Sequence, residues 1–186
     1  MEAPVPTLAS GLADGVVAYW QRSSAHWFSK DSGFDERFRE RFLSLHLAAA
    51  SRRCDGWMDD ATGALALMIL LDQYPRNAFR GTAHMYATDG LALHFARQAE
   101  ARGYMNAVEA PMRLFFCLPF AHSESAADQD ISLRLNARLG SAAQAHAERH
   151  RDIIGRFGRF PHRNPILMRN TTAAEQAFLD AGGFAG

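Results

Sequence analysis

Apolar residues recur at helical spacing along most of the chain. Phe34, Phe38, Phe42, Leu45 and Ala49 follow the i, i+4, i+8, i+11 pattern of one buried stripe. Ala64 to Tyr74 is apolar almost all round, with few β-branched residues, and Pro75 follows. Its length and its Ala and Leu content predict a buried central helix ending at that proline. Asp89 can cap a helix through Leu91, Phe95 and Ala99 that Gly103 ends. Asn106 and Glu109 stand at capping-box spacing before Met112 to Leu118, which Pro119 closes.

Later in the chain, Ser125 and Asp128 mark a helix start, Ile131, Leu135 and Leu139 its stripe, and Gly140 its stop. A long helix is predicted from about Ser141 to Phe157, with Gly158 as its C-terminal signal. Thr172 and Glu175 form a capping box for a last short helix carrying Phe178 and Leu179. No stretch alternates with period two, and no Asn-Gly or Asp-Gly turn joins two such stretches. The expectation is an all-α chain of stacked antiparallel helical hairpins, because helices joined by short turns favour antiparallel neighbours. Residues 1–10, with Pro4, Pro6 and Ser10, read as a loose tail, and 11–186 as a single helical domain.

Composition narrows the function. Of 186 residues, 48% are hydrophobic, so a real core can be buried. The formal net charge is zero, which argues against a generic nucleic-acid or membrane-surface binder. The longest apolar run, Ala64 to Leu71, is far short of the roughly 20 residues a membrane span needs. Cys54 and Cys117 have no CxxC or Cys/His metal spacing, so free thiols in a reducing compartment are expected. With no basic n-region leading into an apolar stretch, the expected location is the cytoplasm. Lys30 is the one lysine among 20 basic residues. Arginine suits bidentate capture of carboxylate or phosphate, although a high-GC genome produces the same bias.

Three stretches carry polar chemistry. In Leu70 to Thr82, Asp72 and Gln73 precede Pro75, and Arg76, Asn77 and Arg80 follow. A carboxylate is disfavoured near a helix C-terminus, so Asp72 calls for a nearby arginine. The set either ties a buried turn together or contributes to a ligand site. In Leu118 to Gln129, His122 and Glu124 fall between two helices, ahead of Gln129. A His-x-Glu pair suits acid–base work or metal ligation, and equally a helix cap with a satisfied histidine. In His150 to Asn164, Arg159, His162 and Arg163 lie among Gly155, Phe157, Gly158 and Phe160. From Arg149 to Arg169 there are six arginines against one acid, Asp152. Such a run can hold an anion, stack a base, or thread a tight turn.

His146 and His150 share a helical face at i, i+4, but Ala147 stands where an HExxH base would be, so no metal is expected. No GxxxxGK[ST], GxGxxG or GxSxG is present, and no cofactor is expected. Carboxylates at Asp72, Asp89, Glu124 and Asp128 are expected to pair with guanidiniums at Arg76, Arg80, Arg159 and Arg163, because an unpaired buried ion is costly.

These stretches together resemble the domain of unknown function 924 family, mostly bacterial proteins. The match runs from about Asp14 through Phe178 to Gly186 and includes HWF at His26 to Phe28, GFD at Gly33 to Asp35 and YATD at Tyr86 to Asp89. The resemblance implies an all-helical fold similar to the tetratricopeptide-repeat class and implies no activity. The segment VAYWQRSSAHWF is shorter and more polar than the family's usual opening. Where the family reads Leu-Gly-Arg, this chain has Leu167, Met168 and Arg169. Without that glycine, a left-handed backbone is not expected there, and Arg169 carries less weight than Arg159 or Arg163.

Three functions fit. The first is a polar site for a small anionic ligand, in an enzyme or a binding protein, built from Asp72, Arg76, Asn77, Arg80, His122, Glu124, Gln129, His150, Arg159, His162 and Arg163. The second is a helical scaffold for a peptide or protein partner. The third, an RNA-contacting module, ranks last because the net charge is zero. The sequence assigns neither a reaction nor an oligomeric state.

Overall fold

The computed structural model describes residues 11–186; the tail expected over 1–10 lies outside them. The described residues form α-helices, short 3₁₀ turns and one π-helical turn, with no strand among them. The helices are α1 (Gly11–Arg22), α2 (Ser32–Ala50), α3 (Ala61–Met68), α4 (Tyr74–Ala78), α5 (Asp89–Ala101), α6 (Leu114–Ala121), α7 (Ala126–Asn136), α8 (Ser141–Phe157) and α9 (Ala173–Asp180). None of the described helices is long and apolar enough to cross a membrane. Cys54 and Cys117 are free thiols, both buried.

By its internal contacts the chain gathers into two compact units. One holds the described residues up to 80 together with His84–Pro119, the other Gly81–Ala83 with Phe120–Gly186.

The first unit is built around α3. Every side chain from Ala64 to Leu71 is buried, as a segment apolar on all sides requires. Helices α1 and α5 and the 3₁₀ turn Asp55–Asp59 pack on α3. Phe38 of α2 stacks with Trp20 of α1 and with Phe34, and Trp20 meets Phe34 at a tilt, with ring centroids 5.2–6.3 Å apart. Asp31 and Asp60 cap α2 and α3 by accepting from the backbone N–H groups of Phe34 and Gly63.

The central helix does not end at Pro75. A π-helical turn, Ile69–Gln73, carries it into α4. A proline cannot donate, so the carbonyls of Leu70 and Leu71, which a donor at position 75 would meet, need other partners. His46 Nδ1–H donates to Leu70 O at 2.9 Å, and the Thr88 hydroxyl donates to Leu71 O at 2.6 Å. Pro119 is likewise inside its helix, which continues to Ala121. The expected Asn106–Glu109 capping box is replaced by two 3₁₀ turns, Tyr104–Ala107 and Ala110–Arg113.

In the second unit α7 packs on α8, and α9 packs on the 3₁₀ turn Pro161–Arg163. Ile153, Ile154 and Phe160 form the core, with Phe157 and Phe178 against it. Two predicted boundaries hold: Gly158 ends α8 in the left-handed conformation, and Thr172 and Glu175 cap α9 reciprocally. The buried face of α7 is more polar than its predicted stripe. Asp128, Gln129, Ser132 and Asn136 are buried beside Leu135.

Gly63 is where α3 meets the preceding 3₁₀ turn. A Cβ there would stand 2.1 Å from the carbonyl oxygen of Trp57, a backbone atom that cannot swing aside. Gly63→Ala is therefore expected to destabilise the chain by about 1–3 kcal/mol, read as a lower urea midpoint with an unchanged slope.

Candidate functional site

The first polar stretch is an ion-pair network inside the first unit. Asp72, 1% exposed, lies on the π-turn and takes Arg76 Nη1 at 3.2 Å and Gln73 Nε2 at 2.7 Å. Arg76 reaches on to Asp89 of α5 with two parallel bonds of 2.8 and 3.0 Å. Arg80 pairs with Asp35 at 2.8 Å and donates to Asn77 Oδ1 at 3.0 Å, while Asn77 donates to Gln73 O. The carboxylates Asp72 and Asp89 keep the Arg76 guanidinium firmly charged against the cost of its burial. In this unit His46 also donates to Leu70 O, so its Nε2 is an acceptor, and His84 Nε2–H fills it at 3.2 Å. Burial lowers the pKa of His46.

The second and third polar stretches meet inside the second unit. Glu124 accepts from Arg169 at 2.7 and 3.1 Å and from the Phe160 N–H at 2.8 Å. Burial works against its charge, but Arg169 and the Phe160 N–H hold its carboxyl below the usual range. Arg159 grips Glu175 at 2.6 and 2.8 Å. With the Thr172 N–H, that grip holds the Glu175 carboxyl down to about 2. Gln129 donates to the carbonyls of Phe120, Ala121 and Ser123, which shapes the turn ahead of α7.

Arg169 therefore matters more than its sequence context suggested. Met168 beside it adopts φ +53°, the left-handed backbone that the missing glycine argued against. A methionine occupies that conformation because Arg169, one residue on, is fixed by Glu124, by Asn164 Oδ1 at 3.0 Å and by Phe160 O at 3.1 Å.

What remains is a cluster of histidines around Arg163. Arg163 is 7% exposed, donates through Nη2 to the carbonyl of His122 at 2.9 Å, and lies 4.6 Å from the Phe160 ring centroid. His146 and His150 stack on one face of α8, with ring centroids 4.3 Å apart. Phe184 covers His150 at 4.6 Å and His162 at 5.1 Å, with His146 farther off at 6.3 Å. His162 Nδ1 is buried without a hydrogen bond among the described residues.

Burial is the main cause that pushes the pKa of His150 down to about 3 and that of His162 to about 4. His122 adds to both depressions, Arg163 adds to that of His162, and burial with Arg149 and His122 lowers His146. The cluster is thus several uncharged rings beside a buried guanidinium.

Of the predicted residues, His122, Glu124, Gln129, His150, Arg159, His162 and Arg163 lie in this unit, and Asp72, Arg76, Asn77 and Arg80 belong to the network in the other. His146 was visible as the i, i+4 partner of His150. Phe184 and Glu175 were not, because their role arises from the closing segment and α9 folding back onto α8 and the Pro161–Arg163 turn. Among the described residues no group of three or more His, Cys, Asp or Glu is placed to hold a metal ion.

A family model described as "Bacterial protein of unknown function (DUF924)" matches residues 16–183. Among solved structures, a protein of unknown function from Agrobacterium tumefaciens is 52% identical. The match covers 93% of this chain and 99% of that one, with a TM-score of 0.91. Among curated proteins nothing matches.

Two outcomes follow from the charges. Arg76→Ala leaves the buried Asp72 carboxylate without its cation and is expected to cost about 3–5 kcal/mol. Arg151→Ala, which removes an exposed pair with Asp130, is expected to cost under about 1 kcal/mol. Urea denaturation of both variants checks the contrast.

The histidines set the acid response. Below the ordinary histidine pKa of 6.5 the unfolded chain binds protons that folded His150 and His162 refuse. Their contribution is complete above that pH and falls as the pH drops toward 4, by up to about 1.4 kcal/mol per pH unit for each. Glu124 and Glu175 have depressed values, so their contribution is lost only below the ordinary carboxyl pKa of 4.5. Between pH 4.5 and 6.5, His150→Gln is therefore expected to show a shallower loss of stability than the unmodified chain.

Proposed function

The chain belongs to this bacterial family of unknown function, and on that premise we propose that it binds a small anionic ligand through Arg163 and the imidazoles around it. The observation that carries this reading is the setting of Arg163. Its guanidinium is buried against a carbonyl and an aromatic face, next in sequence to His162, which burial keeps neutral.

Local charge supports the same choice. Beyond burial, the larger cause, a neighbouring arginine disfavours His146 and His162 as cations, Arg149 and Arg163 respectively, and at His162 Arg163 outweighs the opposite pull of Glu124, which marks the region as electropositive. An anion placed there gains from that field, and the shielding ring of Phe184 lowers the competition from water. The arginine-rich stretch suits RNA less well, since Arg151, Arg156 and Arg159 lie within ion-pair distance of Asp130, Asp152 and Glu175.

The test is a sulfate titration followed by thermal unfolding. At ten times its Kd, one bound anion stabilises by about 1.4 kcal/mol, a rise in Tm of roughly 3–6 °C for a chain of this size. Arg163→Ala is expected to abolish the rise and Arg151→Ala to keep it. A rise that survives Arg163→Ala, or no rise at all, sinks the reading.

A further inference from the structure

The hydrogen bonding of His150 has a consequence for any anion that enters this cluster. His150 sits on α8, 3% exposed, with Nδ1 3.0 Å from the carbonyl oxygen of His146. A carbonyl only accepts, so Nδ1 carries the hydrogen. In a neutral ring Nε2 is then a lone-pair acceptor with no hydrogen to give. An anion such as sulfate presents lone pairs alone. Two lone pairs repel, so Nε2 can meet an anion only after it has gained a proton.

We propose that the site takes its anion together with one proton, which comes from solvent and rests on Nε2 of His150. The inference rests on the anion-binding reading above and adds its regulation: binding strengthens as the pH falls. Only one proton is taken up at the stacked pair. The His146 ring lies 4.3 Å from that of His150, and a second imidazolium at that distance would be repelled.

The other groups around His150 are accounted for element by element. From the turn between α6 and α7 come His122 and Glu124, and the carboxylate of Glu124 is occupied by Arg169 and the Phe160 N–H. On α7, Asp128 accepts from Ser123 and Asp130 pairs with Arg151. The Pro161–Arg163 turn supplies His162 and Arg163, and α8 itself supplies His146 and Arg149. The closing segment contributes the uncharged ring of Phe184. Those carboxylates are engaged by Arg169, Ser123 and Arg151, so charging the His150 ring calls for an anion from outside.

Without an anion, burial keeps His150 neutral down to about pH 3. With one, an ion pair forms where the lone pairs would have clashed, and proton and anion bind with positive linkage. His162 differs: its Nδ1 carries no hydrogen bond among the described residues, so the ring can offer an N–H by tautomer choice alone.

Calorimetric titration of the full chain with sulfate, which does not itself titrate between pH 5.5 and 8, tests the proposal. Repeating it in two buffers of different ionisation enthalpy should give an uptake close to one proton per sulfate. The affinity should fall about tenfold per pH unit wherever the pH lies above the pKa of the liganded ring, and below it should level off only once the pH also drops under that of the unliganded one, with a shallower slope between the two. In His150→Gln, whose amide donates without protonation, sulfate should still bind while the uptake and the pH slope vanish. His162→Gln should keep both.

Sulfate binding with no proton uptake and no pH slope overturns the proton linkage and leaves the anion site standing. Uptake lost in His162→Gln and kept in His150→Gln also overturns it. No sulfate binding at any pH in that range overturns the anion site itself, and the linkage with it. Because the uptake is measured on the unmodified chain, the outcome stands even if a variant fails to fold.

Discussion

A helix buried on every side cannot leave a carbonyl unpaired, and the first unit is organised by that constraint at Pro75. The segment from Ala64 to Leu71 has no solvent-facing side, so the acceptors left open by the proline cannot turn to water. Side chains from two other elements meet them: His46 from α2 and Thr88 from the start of α5. The π-turn that admits the proline also fixes Asp72 beside Arg76, and Arg76 returns to Asp89, one residue past Thr88. Thr88 and Asp89 thus secure the same turn by two kinds of bond, one to its backbone and one to its charge.

Charge in the second unit follows a comparable economy with different geometry. Glu124 and Glu175 sit where the chain reverses, between α6 and α7 and at the start of α9, and each is gripped in bidentate fashion by an arginine from the segment after α8. Such pairs are worth little for net stability once desolvation is counted, yet breaking one is expensive, so they fix geometry more than they add free energy. The Glu124 carboxylate also takes the Phe160 N–H, which sets the path of the turn that carries His162 and Arg163. The clasp therefore positions the imidazole cluster and also acts on the charge of His162.

These relations were unevenly legible in the sequence. Helix identities follow from periodicity, and the ends of α8 and the cap of α9 from Gly158, Thr172 and Glu175, because those signals are local. The prolines misled: Pro75 and Pro119 look like terminators, but Pro75 is accommodated by donors 24 and 17 residues distant in pairing, which no local rule reads. His46 hides for a related reason. The stripe of α2 points to Leu45, and a polar residue takes the buried position because its partner is a backbone carbonyl on another helix. The polar stretches announced themselves by composition, but which arginine serves which acid depends on tertiary approach. Arg159 finds Glu175, 16 residues on, and Arg169 finds Glu124, 45 residues back.

Beside those pairs the second unit buries a set of polar rings. Imidazoles held neutral by burial, one guanidinium tied to a carbonyl, and an aromatic cover are poor tools for stabilising a fold on their own, because buried polar rings cost more than apolar ones of equal size. His146 and His150 place two such rings face to face on one helix, a position where leucine or phenylalanine would pack with less penalty. Keeping titratable nitrogens there makes physical sense where a proton or an anion visits. On the proposed anion-binding reading the depressed pKa values are the resting state of the site, and the same burial that keeps the rings neutral is what would couple the ligand's charge to the proton.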